Sequence, residues 1–552
     1  MSISSMKFVG DLRKEFAGYN AVSLSKDLMA GLTVAAVALP LALAFGVSSG
    51  ADAAAGLITA IIAGLLIGAL SGASYQISGP TGAMTAILAG LAARHGLQGV
   101  FIAGFLSGCV LLVAGILRVG ALVSFIPGPV ITGFTSGIAV IIALGQIDNF
   151  FGTVSIGENA LQKLASYGEL GFHPSLYAIL FGVLVIGVML IWPKKWNARF
   201  PSSLVGIIVA LVVQLVGNFP VEEVGAIPRT LLPEARLTFS LIPWARLGEF
   251  AAPAISIAAL GMVESLLCGA SAGKMKDEKL DAGRELVAQG IGNMVIPFFG
   301  GVPATAAIAR TSVAIKSGGR TRLTSVFHSV GLLCSMFFLG PVMSRIPLAA
   351  LAGVLIVTAW RMNEWAAIRQ IFNRRIKTSI AQFLVTMLAT VMFDLTSAIL
   401  IGIGLSMLLF VVRSRDVRIE VVEPTLSMDD KRTRVVYIDG ALFFATQDKL
   451  PSLVDDLIMK GCRRIVFSLR GVPSIDHSEV SEITAIVRQC QAKGVDVLFA
   501  GLQPPVQRMF ERLSLDELVG KNQFYSSAVV ALEVLGASSA TDGAEQGLPS
   551  GR

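Results

Sequence analysis

The stretch Ser78-Gly79-Pro80-Thr81-Gly82-Ala83 interrupts an apolar region, and Gly300-Gly301-Val302-Pro303-Ala304-Thr305 repeats it in outline. Each break is followed by an apolar run that is too short to cross a bilayer, which takes about 20 helical residues. The two prolines are 223 residues apart, and so are two apolar segments that begin near 28 and 251. A further pair, residues 125–127 and 345–347, has nearly the same spacing. The common offset predicts two related halves of one chain.

The composition favours a membrane protein. Of 552 residues, 54% are hydrophobic and 15% are charged, and the mean hydropathy is +0.73. Soluble domains are usually about a quarter charged. The net charge of +7 is explained by basic loops on the cytoplasmic side of a membrane protein. Nucleic-acid binding is disfavoured because no basic helix is interleaved with aromatic residues.

The apolar segments end near residue 412. We predict fourteen of them, with starts near 28, 53, 83, 97, 128, 176, 203, 251, 286, 304, 324, 348, 379 and 397. They divide into repeats of seven, about 28–220 and 251–412. Because seven is odd, the repeats must have opposite topology, and segments 3 and 10 are half-helices in matching positions. Inverted repeats with such breaks indicate a transporter site near the middle of the membrane.

The charge pattern predicts the orientation. Residues 1–27 are polar and charged, unlike a cleavable signal peptide. Lysine and arginine are concentrated in loops that follow even-numbered segments, notably 194–199, 274–284 and 361–377. The positive-inside rule then places both termini in the cytoplasm. We therefore expect a multi-pass protein of a bacterial-type inner membrane.

The C-terminal part has the composition of a soluble domain. We predict a linker over 413–433, a small α/β domain over 434–535 and a disordered tail over 536–552. Alternating apolar residues predict strands at 435–440, 441–445, 464–469 and 495–500. Amphipathic patterns predict helices at 448–460, 477–492 and 505–514.

The two breaks carry the predicted chemistry. A half-helix leaves its first backbone N–H groups without partners, and its dipole makes that end partly positive. Two such ends at mid-membrane form an anion site. Small residues there (Gly82, Ala83, Ala304, Thr305, Ala306 and Ala307) let a ligand approach closely, and Thr81 and Thr305 add hydroxyl donors. The alternatives are that the Gly-Pro pairs only kink helices or mark loops, and that the small residues only allow tight packing.

Two ionisable residues lie inside apolar segments, where a charge costs about 3 kcal/mol or more. Glu264 is the candidate for proton coupling, because a carboxylate away from water binds a proton more readily. Arg310 is the candidate for anion binding. The alternatives are an ion pair between the two, and an Arg310 side chain that extends to the cytoplasmic surface. No Walker A loop is present, the four histidines are scattered, and no enzyme motif, metal site or cofactor site is predicted.

These features together resemble the SulP family of anion permeases, which carry a cytoplasmic STAS domain. The motifs that carry the resemblance are Leu39-Pro-Leu-Ala-Leu-Ala-Phe-Gly46, Ile77-Ser-Gly-Pro-Thr-Gly-Ala-Met-Thr85, Gly133-Phe-Thr-Ser-Gly-Ile138, Gly300-Gly-Val-Pro-Ala-Thr-Ala-Ala-Ile-Ala-Arg-Thr311 and Ser317-Gly-Gly-Arg-Thr321. The resemblance implies a dimer whose core carries the anion past a static gate. It implies an anion held near Thr81 and Ala306 to Ile308, walled by Phe45, with Arg310 below it.

The resemblance also bears on coupling and regulation. Some members bind sodium near an aspartate on segment 8, but this chain has Glu264 there and Cys268 one turn later. That difference favours protons over sodium. Ser478 lies where related regulatory domains have a phosphorylated loop, although Glu479 replaces a glycine; the alternative is a surface turn. Family substrates include sulfate, bicarbonate, chloride and C4-dicarboxylates. A nucleobase permease of the same architecture, and an uncoupled channel or sensor that signals through the STAS domain, are the alternative functions.

Overall fold

The structure, a computed structural model, describes residues 10–120, 126–157, 160–193, 195–196, 200–393, 395–414, 417–424, 432–443 and 449–535. The predicted tail at 536–552 lies outside the described residues. The chain divides into two compact units, Met1–Gly404 and Leu405–Arg552. The first unit holds nearly all of the predicted membrane segments, and the second holds the predicted α/β domain.

The first repeat is helical. Its longer helices correspond to predicted segments, whereas two short helices within 147–170 do not. The helices of this repeat are α1 (Ala21–Ser48), α2 (Ala53–Leu70), α3 (Gly82–Ile116), α4 (Gly128–Gly145), α5 (Ile147–Phe151), α6 (Ala160–Leu170), α7 (Leu176–Ile191) and α8 (Ser202–Gly217). Helix α3 contains two predicted segments, joined at Gly96. That residue has φ of +65°, a backbone conformation that glycine adopts without the steric cost of a Cβ. The half-helix therefore occupies the part of α3 before Gly96.

The second repeat follows the same order. Its helices are α9 (Ala251–Lys276), α10 (Ala282–Val295), α11 (Ile308–Lys316), α12 (Leu323–Met343), α13 (Leu348–Met362), α14 (Trp365–Asn373), α15 (Lys377–Met392) and α16 (Leu395–Ser414). Within the described residues, six helices are individually long and apolar enough to cross a membrane, and five further apolar helices are shorter. The protein is a helical membrane protein, and the count of fourteen crossings stays a prediction.

The two breaks lie against each other. Strand β1 (Ser78–Gly79) pairs antiparallel with β2 (Thr305–Ala306), with Ser78 opposite Ala306 and Gly79 opposite Thr305. Helix α3 begins three residues after β1, and α11 begins two residues after β2. Because the strands are antiparallel, the two segments of the chain leave this crossing in opposite directions, and both half-helices begin at the crossing.

Helices α3 and α10 pack with their backbones in contact. A Cβ added at Gly290 of α10 would lie 2.6 Å from Leu112 N, and one added at Gly108 of α3 would lie 2.7 Å from Gly290 O. Both distances are shorter than van der Waals contact, so neither position accepts a larger residue without movement. Small residues commonly allow this approach between membrane helices. The contact holds α10 alongside the part of α3 that follows Gly96.

The second unit contains a five-stranded sheet in the order β3 (Arg418–Val422), β4 (Thr433–Asp439), β5 (Arg464–Gly471), β6 (Asp496–Ala500) and β7 (Phe524–Tyr525). Strand β3 is antiparallel to β4, and the other neighbours are parallel. Its helices are α17 (Lys449–Met459), α18 (His477–Ala492), α19 (Pro504–Arg512) and α20 (Leu515–Val519). Burial raises the pKa of the Cys490 thiol on α18 to about 11, so this cysteine stays protonated and unreactive near neutral pH.

Two parts of this unit differ from the sequence prediction. The segment 413–433, predicted as a linker, contains the edge strand β3. The predicted strand at 441–445 is represented by one isolated bridge, from Leu442 to Ile475, and residues 444–448 lie outside the described part. Directly after β4, Gly440 has φ of +124°, so the backbone changes direction between β4 and this bridge.

Candidate functional site

The crossing of β1 and β2 presents two helix ends with no side-chain cap. Thr81 is the N-cap residue of α3 and Ala307 is that of α11, and neither side chain bonds to the first turn of its helix. A threonine commonly caps its own helix through the side-chain oxygen. Here the Thr81 hydroxyl is turned to another partner, so the first amides of both half-helices stay available to a ligand.

That partner is Glu264 on α9. The Thr81 hydroxyl donates to Glu264 Oε2 at 2.8 Å, and the Thr305 hydroxyl donates to the same oxygen at 2.7 Å. The two hydroxyl oxygens are 3.3 Å apart. One carboxylate therefore connects both breaks, and it is half-buried rather than closed off. A change in the charge of Glu264 therefore changes the electrostatic potential at both helix ends.

Arg310 lies in the first turn of α11 and is 1% exposed. Its Nη2 donates to the Pro80 carbonyl oxygen of the other break. Its Nη1 is buried without a hydrogen-bond partner among the described residues. The side chain thus extends to the crossing and not to the cytoplasmic surface, and the sequence alternative of a direct pair with Glu264 is not the arrangement seen. A buried cation with a free donor adds positive potential at the two helix ends.

The wall at the start of α3 is apolar. Phe45 on α1 is 6% exposed. A Cβ added at Gly82 would lie 3.1 Å from Phe45 Cε1 and would collide with the side chain of Ile142 on α4. Gly82 therefore leaves room between these two side chains that an alanine would fill. Ile142 is a residue of this wall that the sequence interpretation missed, since nothing in the local pattern of α4 distinguishes it from its neighbours.

The remaining residues predicted for the anion site lie at the same crossing. Ala83 and Ala306 are buried, Ala307 is half-buried, and Ile308 is exposed. Ser478 is half-buried in the first turn of α18, where Asp476 caps the helix by accepting from Glu479 N at 2.9 Å. Ser478 belongs to the second compact unit.

Several polar residues that the sequence interpretation missed bond to the backbone of the breaks. Ser265 accepts from Ala306 N at 3.2 Å, and Thr311 accepts from Ile77 N at 3.1 Å. Backbone groups inside a membrane have no water to bond, so each break needs partners from neighbouring helices. Serine and threonine are common in apolar helices, so their sequence positions gave no signal. Their role becomes visible only when the two breaks are seen together.

Substituting Gly82 by alanine tests the room at the start of α3. We expect the half-saturation concentration for transport to rise about tenfold, because an added methyl group in a packed site costs on the order of 1–3 kcal/mol. Shortening the facing side chain in Gly82→Ala/Ile142→Ala should restore much of the loss. Gly128→Ala, where a Cβ meets open space, is the control. Initial uptake rates over a range of substrate concentrations measure the effect, and an unchanged Gly82→Ala variant would remove Gly82 from the site.

The comparisons with known proteins agree with this architecture. Residues 24–390 match the model of the sulfate permease family, and residues 428–530 match that of the STAS domain. YvdB of Bacillus subtilis, which has a provisional name as a sulfate transporter, is 34% identical over 533 residues, covering 94% of this chain and 98% of that protein. The bicarbonate transporter BicA of Synechocystis sp. is 28% identical over 539 residues, covering 93% and 94%.

Solved structures give the same result. The transmembrane domain of BicA, a cyanobacterium bicarbonate transporter, is 28% identical and matches with a TM-score of 0.64, covering 68% of this chain and 97% of that one. The overall structure of SLC26A9 matches with a TM-score of 0.83 at 16% identity, covering 99% and 96%, which shows the fold alone. With the family match over most of its length, this chain belongs to the sulfate permease family: it is a multi-pass membrane transporter with a C-terminal STAS domain, and not an enzyme.

Proposed function

We propose that the protein is a secondary active transporter of small anions, with sulfate, bicarbonate or a C4-dicarboxylate as substrate. The observation that carries the proposal is the antiparallel crossing of β1 and β2, from which two uncapped half-helices begin. Backbone amides at helix N-termini bind anions without a dedicated cation. The names of relatives such as YvdB and BicA support sulfate and bicarbonate as the first candidates.

We assign Thr81, Gly82, Ala83, Ala306, Ala307 and Ile308 to the anion site, with Phe45 as its wall and Arg310 as its cation. Arg310 supports the site in two ways. It holds the Pro80 carbonyl, which would otherwise point a partial negative charge at the crossing, and its Nη1 has no other partner among the described residues. Hydrogen bonds that involve a charged group contribute about 1.5–3 kcal/mol.

The position of Glu264 supports proton coupling as part of the proposal. Ionised, its carboxylate repels an anion bound at the same helix ends; protonated, it does not. At about 6 Å and an effective dielectric constant of about 20, that repulsion is roughly 3 kcal/mol. Because linkage is reciprocal, the anion and the proton then favour each other's binding. Sodium is disfavoured as the coupling ion, since the residue one turn after Glu264 is Cys268, whose thiol bonds to Thr311 and is a poor ligand for a hard cation.

The wider features of the cycle are proposed from the resemblance and the charge pattern. We assign an elevator-type motion of a core past a gate, a homodimer, an inner-membrane location and cytoplasmic termini. The STAS domain is assigned a regulatory role through a cytoplasmic partner, with Ser478 as its candidate phosphorylation site. Mass spectrometry of the protein from its native membrane tests that site.

Counterflow in proteoliposomes tests the proposed function. Labelled sulfate, bicarbonate and succinate are offered at pH 6 and pH 8, with and without sodium. We expect saturable exchange of at least one anion, faster at pH 6 and independent of sodium, and accumulation against a gradient when a proton gradient is imposed. Nucleobase exchange without anion exchange would assign the alternative permease function. Flux that neither saturates nor accumulates would indicate a channel or a sensor.

A further inference from the structure

Helix α10 carries a row of buried polar side chains that the transport scheme above does not use. Glu285, Gln289 and Asn293 follow one another at intervals of four residues, so they share one face of the helix. Their exposures are 0%, 1% and 1%. A buried carboxylate in a membrane helix is costly and is a candidate for a functional role, yet the sequence interpretation assigned none to Glu285.

Glu285 accepts hydrogen bonds from three neutral donors. Oε2 accepts from Ser71 Oγ at 2.6 Å and from Gly72 N at 3.0 Å, and Oε1 accepts from Gln289 Nε2 at 2.9 Å. Ser71 and Gly72 form the turn that follows α2. The carboxylate therefore ties this turn to α10. An ionised carboxylate only accepts hydrogen bonds, and this one meets donors at both of its oxygens.

The other two members of the row reach the crossing. Gln289 Nε2 also bonds to Ser78 Oγ of β1 at 2.9 Å. Asn293 holds Ala304, the residue before β2, by two bonds: it accepts from Ala304 N at 2.7 Å and donates to Ala304 O at 2.9 Å. One helix face thus contacts both breaks, and α10 itself is fixed by its close packing on α3.

We propose that Glu285, Gln289 and Asn293 are positioning residues that hold the two breaks in register, with Glu285 as the anchor of the row. None of them is assigned to the anion or to the proton; they act through the Ser78 side chain and the Ala304 backbone. The expected effect of these residues on uptake rests on the proposed function, whereas their expected effect on the positions of the two breaks does not. In binding sites generally, the hydrogen-bond donors must be held close to their productive positions by a second set of hydrogen bonds.

Two substitutions at Glu285 separate hydrogen bonding from charge. Glu285→Ala removes the acceptor of three hydrogen bonds, two from the buried Ser71 and Gln289 side chains and one from the half-buried Gly72 N. It should raise the half-saturation concentration about tenfold or more, with the maximal rate within about threefold. In Glu285→Gln, the amide oxygen accepts from Ser71 and Gly72. Gln289 Oε1 is buried without a partner among the described residues. A flip of the Gln289 amide lets Oε1 accept from the new amide and from the Ser78 hydroxyl, and Nε2 then takes the unpartnered position, so the number of unpartnered groups stays at one. We therefore expect this variant to stay within about threefold of the wild type.

The experiment measures uptake kinetics and amide hydrogen exchange of the full chain in lipid, for the wild type, both Glu285 variants and Glu278→Ala. Glu278 is the matched control, since it is a half-buried glutamate that bonds to Ser74 near the same turn. We expect faster exchange over 76–82 and 302–308 in Glu285→Ala only. Should that variant not reach the membrane, Asn293→Ala is judged by the same two readouts. It removes the two Ala304 bonds and one bond to the Gln289 carbonyl within α10.

Two results would overturn the proposal. One is an amide hydrogen exchange rate at both breaks of Glu285→Ala that equals the wild-type rate. The other is a half-saturation concentration in Glu285→Gln that rises as much as in Glu285→Ala, which would show that the charge of Glu285 matters and its hydrogen bonding does not. If the wild type transports no anion, the proposed function fails, but the exchange measurement still decides whether the row holds the breaks.

Discussion

Replacing Arg310 by alanine is expected to lower the apparent affinity for the transported anion by roughly 10- to 100-fold. The substitution removes a fully buried guanidinium and leaves the Pro80 carbonyl without its partner. Losing hydrogen bonds that involve a charged group costs about 1.5–3 kcal/mol, and each 1.4 kcal/mol is a factor of ten in affinity. Counterflow at increasing concentrations of the anion measures the change, with protein amount in the membrane as the reference.

Two variants accompany this measurement. Arg310→Lys keeps the charge but loses the planar group, so we expect an intermediate loss of affinity. Lys316→Ala changes an exposed cation at the other end of the same helix α11 and should leave affinity within about twofold. An Arg310→Ala protein that folds and transports with wild-type affinity would mean that the buried guanidinium serves only to hold the break.

Replacing Glu264 by glutamine is expected to abolish the pH dependence of uptake. In the wild type, lower external pH favours the protonated carboxylate, which favours the anion, so uptake should rise as pH falls. Glutamine resembles the protonated side chain and keeps an oxygen that accepts from Thr81 and Thr305. The ratio of rates at pH 6 and pH 8 should therefore fall from about ten or more to about one, as expected when a repulsion of about 1.4 kcal/mol or more is removed.

The same variant should still exchange anions, because exchange needs no net proton movement. It should not accumulate them against a gradient when a proton gradient is imposed. Glu278→Gln, a change of the same type outside the crossing, should behave as the wild type. If Glu264→Gln kept the pH dependence or the proton-driven accumulation, the coupling group would have to be sought elsewhere.

Much of the membrane unit could be predicted because its signals are local. Apolar runs, and breaks containing Gly and Pro, mark helices and their interruptions wherever they fold. Residue 27 shows the limit of that approach. Helix α1 begins at Ala21, before the predicted start near 28, with Asn20 as its N-cap. Asp27 lies inside this helix, where its Oδ1 accepts from Arg320 N at 2.6 Å and from Thr321 N at 3.1 Å of a distant loop. From sequence alone, a charged residue such as Asp27 indicates the end of an apolar segment, because its buried hydrogen-bond donors are not visible there.

The residues of the candidate site could be named from the sequence, but their arrangement could not. The matching offset of Pro80 and Pro303 indicated that two helix ends belong together, and the structure brings them into one crossing. The contact of both Thr81 and Thr305 with Glu264 depends on three segments far apart in sequence, so no local pattern predicts it. Glu285 was missed because it stands at the start of a weak apolar segment, next to charged residues, where a carboxylate is usually exposed. Strand β3 was missed because five residues beside a charged segment are too few for a periodic signal.

Locating the anion itself tests the central claim most directly. Maps from electron cryomicroscopy of the protein with saturating sulfate or bicarbonate can be compared with maps of the anion-free protein in the same lipid. We expect additional density within hydrogen-bond distance of the amides at the starts of α3 and α11, beside Thr81 and Ile308. Saturable binding in solution, with density at another place and none at the crossing, would contradict the account.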